Sequence, residues 1–310
     1  MAKYYIGTAG WSYEDWEGIV YPVRKGAGFH ALGFLADFIN IIEVNSTFYR
    51  PAPLAMVRSW LKRIEDRPDF RLALKLYQAF THAGKGFTKK DVEEVRLAAD
   101  LVQLQGRLAA LLIQFPWSFR NTSENTEYLE RLLKLFTGLP LAVEVRHASW
   151  DTPAFYELLG ENKAAFCNID QPLFEGSIKP SAISTTTDFA YVRLHGRNTE
   201  NWFRAEAGRD DRYDYLYAKD ELDDWVPRIK DLGMKSGKVY VITNNHYRGQ
   251  AMANALQIRN MITGEKVDVP DQLLEKYPVL REIVRAIRAG QMDLFDKGGG
   301  SGKDDKGDTK

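Results

Sequence analysis

The segment LAVEVRHASW, residues 141 to 150, joins a short apolar run to three ionisable side chains. The run favours a buried β-strand that ends near Val145, and Pro140 is a natural boundary before it. Glu144 and Arg146 are two residues apart, so both point to the same side of a pleated strand. If that side faces the interior of a barrel, both charges enter one cavity, where they form either a functional site or a structural ion pair.

Polar residues also stand at the ends of the other predicted strands. In a barrel of parallel strands these ends meet at one mouth, which is where such folds carry catalytic residues. The residues are Thr8 with Trp11 and Tyr13 beyond it, Glu43 and Asn45, Lys75, Gln114, Asn168 and Asp170, Arg193 and His195, and Asn244 to His246. A sealed core would leave too many of these groups unpaired, so the sequence predicts a hydrated pocket that accepts a ligand.

Chemical type suggests a role for each of these side chains. The predicted catalytic residues are Glu43, Glu144 and His195. Burial near cations and near each other would give the two glutamates different pKa values, so that one could act as an acid and the other as a base. The imidazole of His195 could transfer a proton near neutral pH. The alternative for His195 is a hydrogen-bonded core histidine. The predicted substrate-binding residues are Lys75, Arg146 and Arg193, which suit a phosphate or carboxylate, together with Trp11, Asn45, Gln114, Asp170 and Asn244.

No cofactor is clearly indicated by the sequence. A divalent metal held by Glu43, Glu144, Asp170 and His195 is conceivable, but no HExxH, CxxC or aspartate-rich motif supports it. The sequence also contains no GxGxxG, Walker or GxSxG motif. That absence lowers the expectation of a nucleotide cofactor or of a serine hydrolase.

Strand-like and helix-like segments alternate along the chain. The predicted strands are residues 4–8, 41–45, 70–76, 108–114, 141–145, 164–169, 189–194 and 238–243. Helical spacing follows all of these strands except the sixth, after which residues 171–188 are expected to form a long loop. The pattern predicts an α/β fold, a single-domain TIM-like (β/α)8 barrel within residues 1–290. A second long loop is expected at residues 198–215, and a last helix at residues 273–289 with a break at Pro278.

Composition narrows the class of protein. The 42 basic and 42 acidic residues balance to zero net charge, so no long-range positive field favours a nucleic acid or an anionic membrane. The single cysteine, Cys167, has no partner and is expected in the core of a protein from a reducing compartment. The chain has no apolar stretch of about 18 residues and no signal peptide, which predicts a cytoplasmic protein. His30 and His82 are expected to be structural or surface residues.

The chain contains seven motif blocks in succession: GTAGWSYEDWEG, EVNSTFYR, LKLYQAFTH, LLIQFPWSF, AVEVRHASW, YVRLHGR and ITNNHYRGQAMANAL. In this order they resemble the blocks of the family called domain of unknown function 72, the YecE-like proteins. The resemblance extends over residues 5 to 256, with departures at Ala9 and between Lys75 and Thr81. It implies a TIM-like barrel, in agreement with the alternation of strands and helices, and it implies little about a reaction.

The segment QMDLF, residues 291 to 295, is similar to the short peptide that binds the bacterial sliding clamp. Leu294 and Phe295 would fill an apolar pocket on the clamp, and Gln291 would hydrogen-bond at its rim. The alternative is that the segment packs the last helix against the barrel. Residues 291–296 are thus predicted to bind a partner, and residues 297–310 to be a disordered tail or an artificial linker.

These features favour an enzyme that binds an anionic substrate at the barrel mouth. The preferred hypothesis is a hydrolase of phosphoester or nucleic-acid substrates, linked to DNA replication or repair through the tail, with aromatic side chains that stack on unpaired bases of a single strand. These side chains are Trp11, Tyr13, Phe48, Tyr49, Trp117 and Trp202. One alternative is an enzyme for a small anion such as a sugar phosphate, and another is a non-catalytic binding or clamp-associated protein. A long basic groove would favour nucleic acid, and a closed pocket would favour a metabolite.

Overall fold

Eight parallel strands close into a barrel in the order in which they occur along the chain. The computed structural model describes residues 2–82, 86–202, 204, 206 and 208–285. The strands are β1 Lys3–Ala9, β2 Ile41–Val44, β3 Arg71–Lys75, β4 Leu108–Gln114, β5 Leu141–Glu144, β6 Ala165–Asp170, β7 Ala190–Leu194 and β8 Lys238–Thr243. Pairing of β1 with β8, for example Tyr5 with Tyr240, completes the circle. The predicted (β/α)8 barrel is therefore confirmed, as one domain.

Helices surround the barrel, as expected for a sheet buried on both faces. They are α1 Ala31–Leu35, α2 Ser46–Tyr49, α3 Leu54–Arg63, α4 Lys89–Leu104, α5 Ser123–Leu135, α6 Pro153–Glu161, α7 Thr199–Trp202, α8 Arg209–Arg212, α9 Lys219–Lys235, α10 Gln250–Thr263 and α11 Asp271–Lys276. Threonine side chains cap several of them; Thr152, for instance, accepts a hydrogen bond from the backbone N–H of Phe155 before α6. Within the described residues, no helix is both long and apolar enough to cross a membrane.

Three segments test the predicted connections. No helix follows β6 before β7, as expected, and this loop is tied to the end of β5 by a bridge between His147 and Ser177. The segment 198–215 is not only a loop, because it includes the short helices α7 and α8. The prediction of a long last helix was wrong within the described residues. Helix α11 ends at Lys276, and a 3-10 turn, Pro278–Glu282, follows. Pro278 cannot continue an α-helical ladder. Residues 291–296 and 297–310 lie outside the described residues.

Gly7 in β1 lies directly against the backbone of β2. A Cβ atom added there would lie 1.9 Å from the backbone carbonyl oxygen of Ile41 in β2. This contact cannot be relieved by rotating a side chain, so the strands would have to separate. The barrel therefore requires glycine at this position.

We expect Gly7→Ala to lower the free energy of unfolding by about 1–3 kcal/mol, the usual cost of forcing extra volume into a packed core. Urea denaturation measures the change. Gly26→Ala is the matched control, because an added Cβ there has no neighbour within 4 Å. Equal stability of the two variants would contradict the proposed strand contact.

Candidate functional site

A cavity of about 610 Å³ opens at the C-terminal ends of the strands. Its residues come from the loops after β1, β2, β3 and β8, from the ends of β3 and β4, and from α2, α3 and α8. The polar and charged members include Asn45, Lys75, His82, Gln114, Arg212, Asn244 and His246. The aromatic members are Trp11, Tyr13, Phe48, Tyr49, Trp60 and Tyr213. Such a mixture of aromatic walls and a few polar groups is typical of small-molecule sites.

Contacts between rings hold the aromatic walls in place. The ring of Trp11 meets the edge of Trp60 with centroids 5.8 Å apart. Tyr13 stacks on His246 at 4.5 Å, and Tyr213 packs against the same imidazole at 5.1 Å. Because each ring is supported by another ring, the walls are expected to keep their shape when a ligand enters.

Beneath the cavity lies an ion network centred on Arg193. This guanidinium donates from Nη2 to Glu43 Oε1 at 2.6 Å and from Nη1 to both Glu144 Oε2 and Gln114 Oε1. The Tyr191 hydroxyl donates to the other oxygen of Glu43 at 3.0 Å. Arg193 is 1% exposed, and both glutamates are fully buried. Arg193 is thus occupied by two carboxylates, and neither glutamate lines the cavity.

Glu144 is the most heavily paired carboxylate of the network. Its Oε1 accepts from Arg146 Nε at 3.0 Å and lies 3.2 Å from His195 Nε2, in addition to the contact of Oε2 with Arg193. Burial alone would raise the pKa of Glu144, but Arg193, His195 and Arg146 together hold it well below its usual value. Glu144 is therefore ionised and hydrogen-bonded, an arrangement that stabilises a charge rather than one that accepts a proton from a substrate.

His195 is a fully buried member of the same network. Burial lowers its pKa to about 3, with Glu144 acting against the shift and Arg146 and Arg193 adding to it. The imidazole is therefore neutral at physiological pH. Its Nδ1 lies 2.9 Å from the Asn244 side-chain nitrogen, so the network assigns Nδ1 as acceptor and Nε2–H as donor to Glu144. His195 thereby links the buried ions to Asn244 on the cavity wall.

Lys75, the last residue of β3, carries its ammonium into the cavity. Nζ lies 4.2 Å from the centroid of the Phe48 ring. Burial and Arg193 lower the pKa of Lys75 to about 7, against the opposing effect of Glu43 and Glu144. Within the described part of the chain, Nζ forms no ion pair or hydrogen bond. An amine without a partner inside a cavity is suited to contact a ligand.

Arg212 is a second cation on the cavity wall. Its Nε is buried without a hydrogen-bond partner among the described residues. Arg146 differs from it, because its side chain is 12% exposed, pairs with Glu144 and stacks on Trp202 with its guanidinium carbon 5.4 Å from the ring centroid. Among these cations, Lys75 and Arg212 are thus the two that remain available to an anion.

Several predicted site residues are not brought into the cavity. Asp170 accepts hydrogen bonds from Arg197, with Nη2 at 2.7 Å, and from the Trp225 indole. The conceived metal ligands Glu43, Glu144, Asp170 and His195 therefore do not surround one point, since Arg193 separates the glutamates and Arg197 holds Asp170. No other three His, Cys, Asp or Glu side chains in the described ranges converge as metal ligands. Trp117 and Trp202 also lie outside the cavity lining.

His82 is an exposed residue, in agreement with the expectation of a structural or surface histidine. It lines the cavity, where its ring meets the edge of Phe48 at 4.9 Å. Burial and the nearby Lys75 lower its pKa to about 4. The 3-10 turn Gln78–Phe80 lies between Lys75 and His82. The position of His82 seven residues after Lys75, within the same motif block, was the available signal.

Comparisons with known proteins agree with the barrel architecture. UPF0759 protein YunF of Bacillus subtilis (strain 168) is 32% identical over 272 residues, which cover 83% of this chain and 94% of that protein. The crystal structure of a DUF72 family protein from Thermotoga maritima MSB8 has a TM-score of 0.73 and 36% identity, covering 84% of this chain and 99% of that one. A DUF72 family protein from Enterococcus faecalis V583, 24% identical, also has a TM-score of 0.73, covering 86% of this chain and 98% of that one.

The resemblance noted in the motif blocks is thus found at the level of the whole domain. A family model matches residues 5–277, which include all of β2 to β8, all but the first two residues of β1, and every residue that lines the cavity. The chain therefore belongs to the family described as "Protein of unknown function DUF72".

Proposed function

We propose that this protein is an enzyme that binds a small organic anion in the cavity at the C-terminal mouth of its barrel. The observation that carries this proposal is the ammonium of Lys75, which enters the cavity without an ionic or hydrogen-bonded partner among the described residues. Arg212 adds a second available cation on the wall. Enzymes with this fold place their catalytic residues at the same mouth.

The dimensions of the cavity favour a metabolite over a polymer. A volume of about 610 Å³ is within the range of small-molecule sites and admits a ligand about the size of one nucleotide or sugar phosphate. The aromatic walls suit a flat or ring-shaped body, and the side-chain amides of Asn45, Gln114 and Asn244 suit its hydroxyl groups. The sugar-phosphate alternative is therefore the better supported form of the hypothesis.

Two features of the preferred sequence hypothesis receive no support from the site. A phosphoester hydrolase that used Glu43 and Glu144 would need them at the substrate, whereas both lie beneath the cavity in pairs with Arg193. Sliding-clamp binding depends on Gln291, Leu294 and Phe295, which lie outside the described residues. Clamp binding stays a prediction for a synthetic peptide of residues 290–297.

The test is calorimetric titration with a panel of small anions that includes ribose 5-phosphate, gluconate and inorganic phosphate. We expect Lys75→Met and Arg212→Gln each to weaken binding of the tightest anion by about tenfold, in line with the loss of one charge-assisted hydrogen bond. Lys163→Met is the matched control, because Lys163 is exposed just before β6, at the opposite end of the barrel.

Thermal midpoints of all three variants should stay near that of the wild-type protein, because none of these side chains is in a described ion pair. Anion binding that is unchanged in both cavity variants would contradict the proposed site. A panel in which no anion binds the wild-type protein would contradict the proposed ligand class.

A further inference from the structure

We propose that the ε-amine of Lys75 is a nucleophile that condenses with a carbonyl group of the bound anion to form an imine. The ligand class would then be a small anionic aldehyde or ketone, such as a 2-oxo acid or a phosphorylated sugar in its open-chain form. This role for Lys75 rests on the proposed function, because the anion must first enter the cavity.

The surroundings of Lys75 keep its amine accessible. The residue ends β3, and its backbone N–H donates to Thr47 Oγ1 at 3.0 Å, which fixes the start of the side chain. The Phe48 ring supports the amine from one side at 4.2 Å without forming a hydrogen bond with it. An amine in an ion pair would first have to break that pair, and Lys75 has none among the described residues.

The charges around Lys75 favour the neutral amine, which is the reactive form. Burial is the largest cause, and Arg193 on β7 and Arg146 beyond β5 add their positive charge, whereas Glu43 on β2 and Glu144 on β5 act in the opposite direction. The net result is a pKa of about 7. Near neutral pH about half of the Lys75 side chains are therefore unprotonated, compared with less than about 0.1% of an ordinary lysine.

The step balances without an oxidant or a reductant. The amine lone pair forms a bond to the carbonyl carbon while the carbon–oxygen π pair moves to oxygen, and a proton passes from the nitrogen to that oxygen to give the neutral carbinolamine. One further proton on the hydroxyl oxygen lets it leave as water, while the nitrogen lone pair forms the carbon–nitrogen double bond. One neutral amine, one carbonyl group and one proton thus give one iminium ion and one water. His82 lines the same cavity as a neutral imidazole, and we assign it the relay of this proton.

Arg212 gives the carbonyl compound an orientation. If Arg212 on α8 holds the anionic group, the carbonyl carbon of the same molecule is left for the amine at the end of β3. For an anion that carries a carbonyl group, the two residues thereby have separate tasks: Arg212 binds the charge, and the neutral form of Lys75 forms the covalent bond. An anionic aldehyde should therefore react faster than a neutral aldehyde of similar size.

The first measurement compares lysine reactivity along the whole chain. The protein is treated briefly with acetic anhydride near neutral pH, and peptide mass spectrometry quantifies acetylation at each lysine. Lys75 should be modified on the order of tenfold faster than the exposed Lys62 and Lys276, because of its larger unprotonated fraction. An acetylation rate equal to or below that of the exposed lysines would overturn the proposal that Lys75 is a nucleophile.

The second measurement traps the imine. Glyoxylate and the neutral aldehyde propanal are each added with sodium cyanoborohydride, which reduces an imine to a stable secondary amine. We expect the reduced adduct first on Lys75, with glyoxylate faster than propanal. Arg212→Gln should remove the preference for glyoxylate over propanal.

The two proposals fail in different ways. If the anions bind through Lys75 and Arg212 but neither aldehyde labels Lys75 ahead of Lys62, the proposed imine formation is overturned. The proposed anion site is then retained. If propanal labels Lys75 first while no anion binds and glyoxylate has no advantage, the amine is a nucleophile and the anion specificity is overturned.

Discussion

Arg193→Met is expected to destabilise the folded protein by about 3–5 kcal/mol, the usual cost of removing one partner from a buried ion pair. The arginine lies between Glu43 and Glu144, and all three side chains are at most 1% exposed. Without it, two carboxylates would remain buried with less positive charge nearby, and Gln114 would lose the donor that contacts its side-chain oxygen. Methionine fills a similar volume, so the change tests charge rather than packing.

Urea denaturation of Arg193→Met measures this loss, with Arg146→Met as the matched control. Arg146 also pairs with Glu144, but its side chain is 12% exposed, and Glu144 keeps Arg193 and His195 when Arg146 is removed. The control should therefore cost only about 1–2 kcal/mol. A smaller loss for Arg193→Met than for Arg146→Met would contradict the central position of Arg193 in the network.

The pH dependence of Arg193→Met follows from the sign of the Glu144 shift. In the wild-type protein the pKa of Glu144 is held well below the ordinary value of 4.5, so its contribution to stability is present above that value and is lost as pH falls through the folded-state pKa. In the variant, protonation of the stranded carboxylates relieves their burial. The stability difference between wild-type and variant should therefore shrink as the pH is lowered.

The fold could be predicted because the local sequence patterns correspond to the strands and helices of the folded chain. Apolar runs of strand length separated by helical spacing predicted the eight strands, and the predicted strands agree with the observed ones to within about two residues. The absence of a helix after β6 could also be predicted, because residues 171–188 lack helical periodicity. The prediction of a long last helix was wrong because it relied on the apolar spacing on both sides of Pro278. In the structure the proline ends the α-helical hydrogen bonding at this point.

The partners of the strand-end charges could not be predicted in the same way. Lys75 and Arg193 are both cations near the end of a strand, yet Lys75 is the last residue of β3 and reaches the cavity, whereas Arg193 is one residue further inside β7. Glu43 is likewise the penultimate residue of β2, so the depth of the two side chains matches and they pair. This depth depends on the register around the closed barrel, which no local pattern encodes.

Cavity residues outside the strands were the hardest to find. Trp60 belongs to α3, and Arg212 belongs to α8 in a segment that was expected to be only a loop. Their spacing resembles that of any surface helix, and only the packing of the loops over the barrel mouth brings them to Lys75. Of the strand-end residues named from the sequence, Asn45, Lys75, Gln114 and Asn244 line the cavity. The cavity residues on helices depend on long-range packing, which local sequence does not reveal.

Anion affinity is expected to fall by up to tenfold per pH unit above about pH 7, since the anion binds the charged form of Lys75. The pKa of the free side chain is about 7, and a bound negative charge raises it. Binding therefore takes up a proton between the free and bound pKa values, and the favourable contribution is full below the free pKa and is lost as pH rises. Gluconate is a suitable probe because its own carboxylate stays ionised throughout.

Calorimetric titration of gluconate in buffers of different ionisation enthalpy measures affinity and proton uptake together. Lys75→Arg should bind the anion with an affinity that is almost independent of pH, since arginine stays charged. Lys75→Met should bind weakly at every pH and take up no proton. If the wild-type protein instead keeps its affinity and takes up no proton near pH 8, Lys75 is charged in the free protein, and the amine of the cavity serves as a permanent anion ligand rather than as a nucleophile.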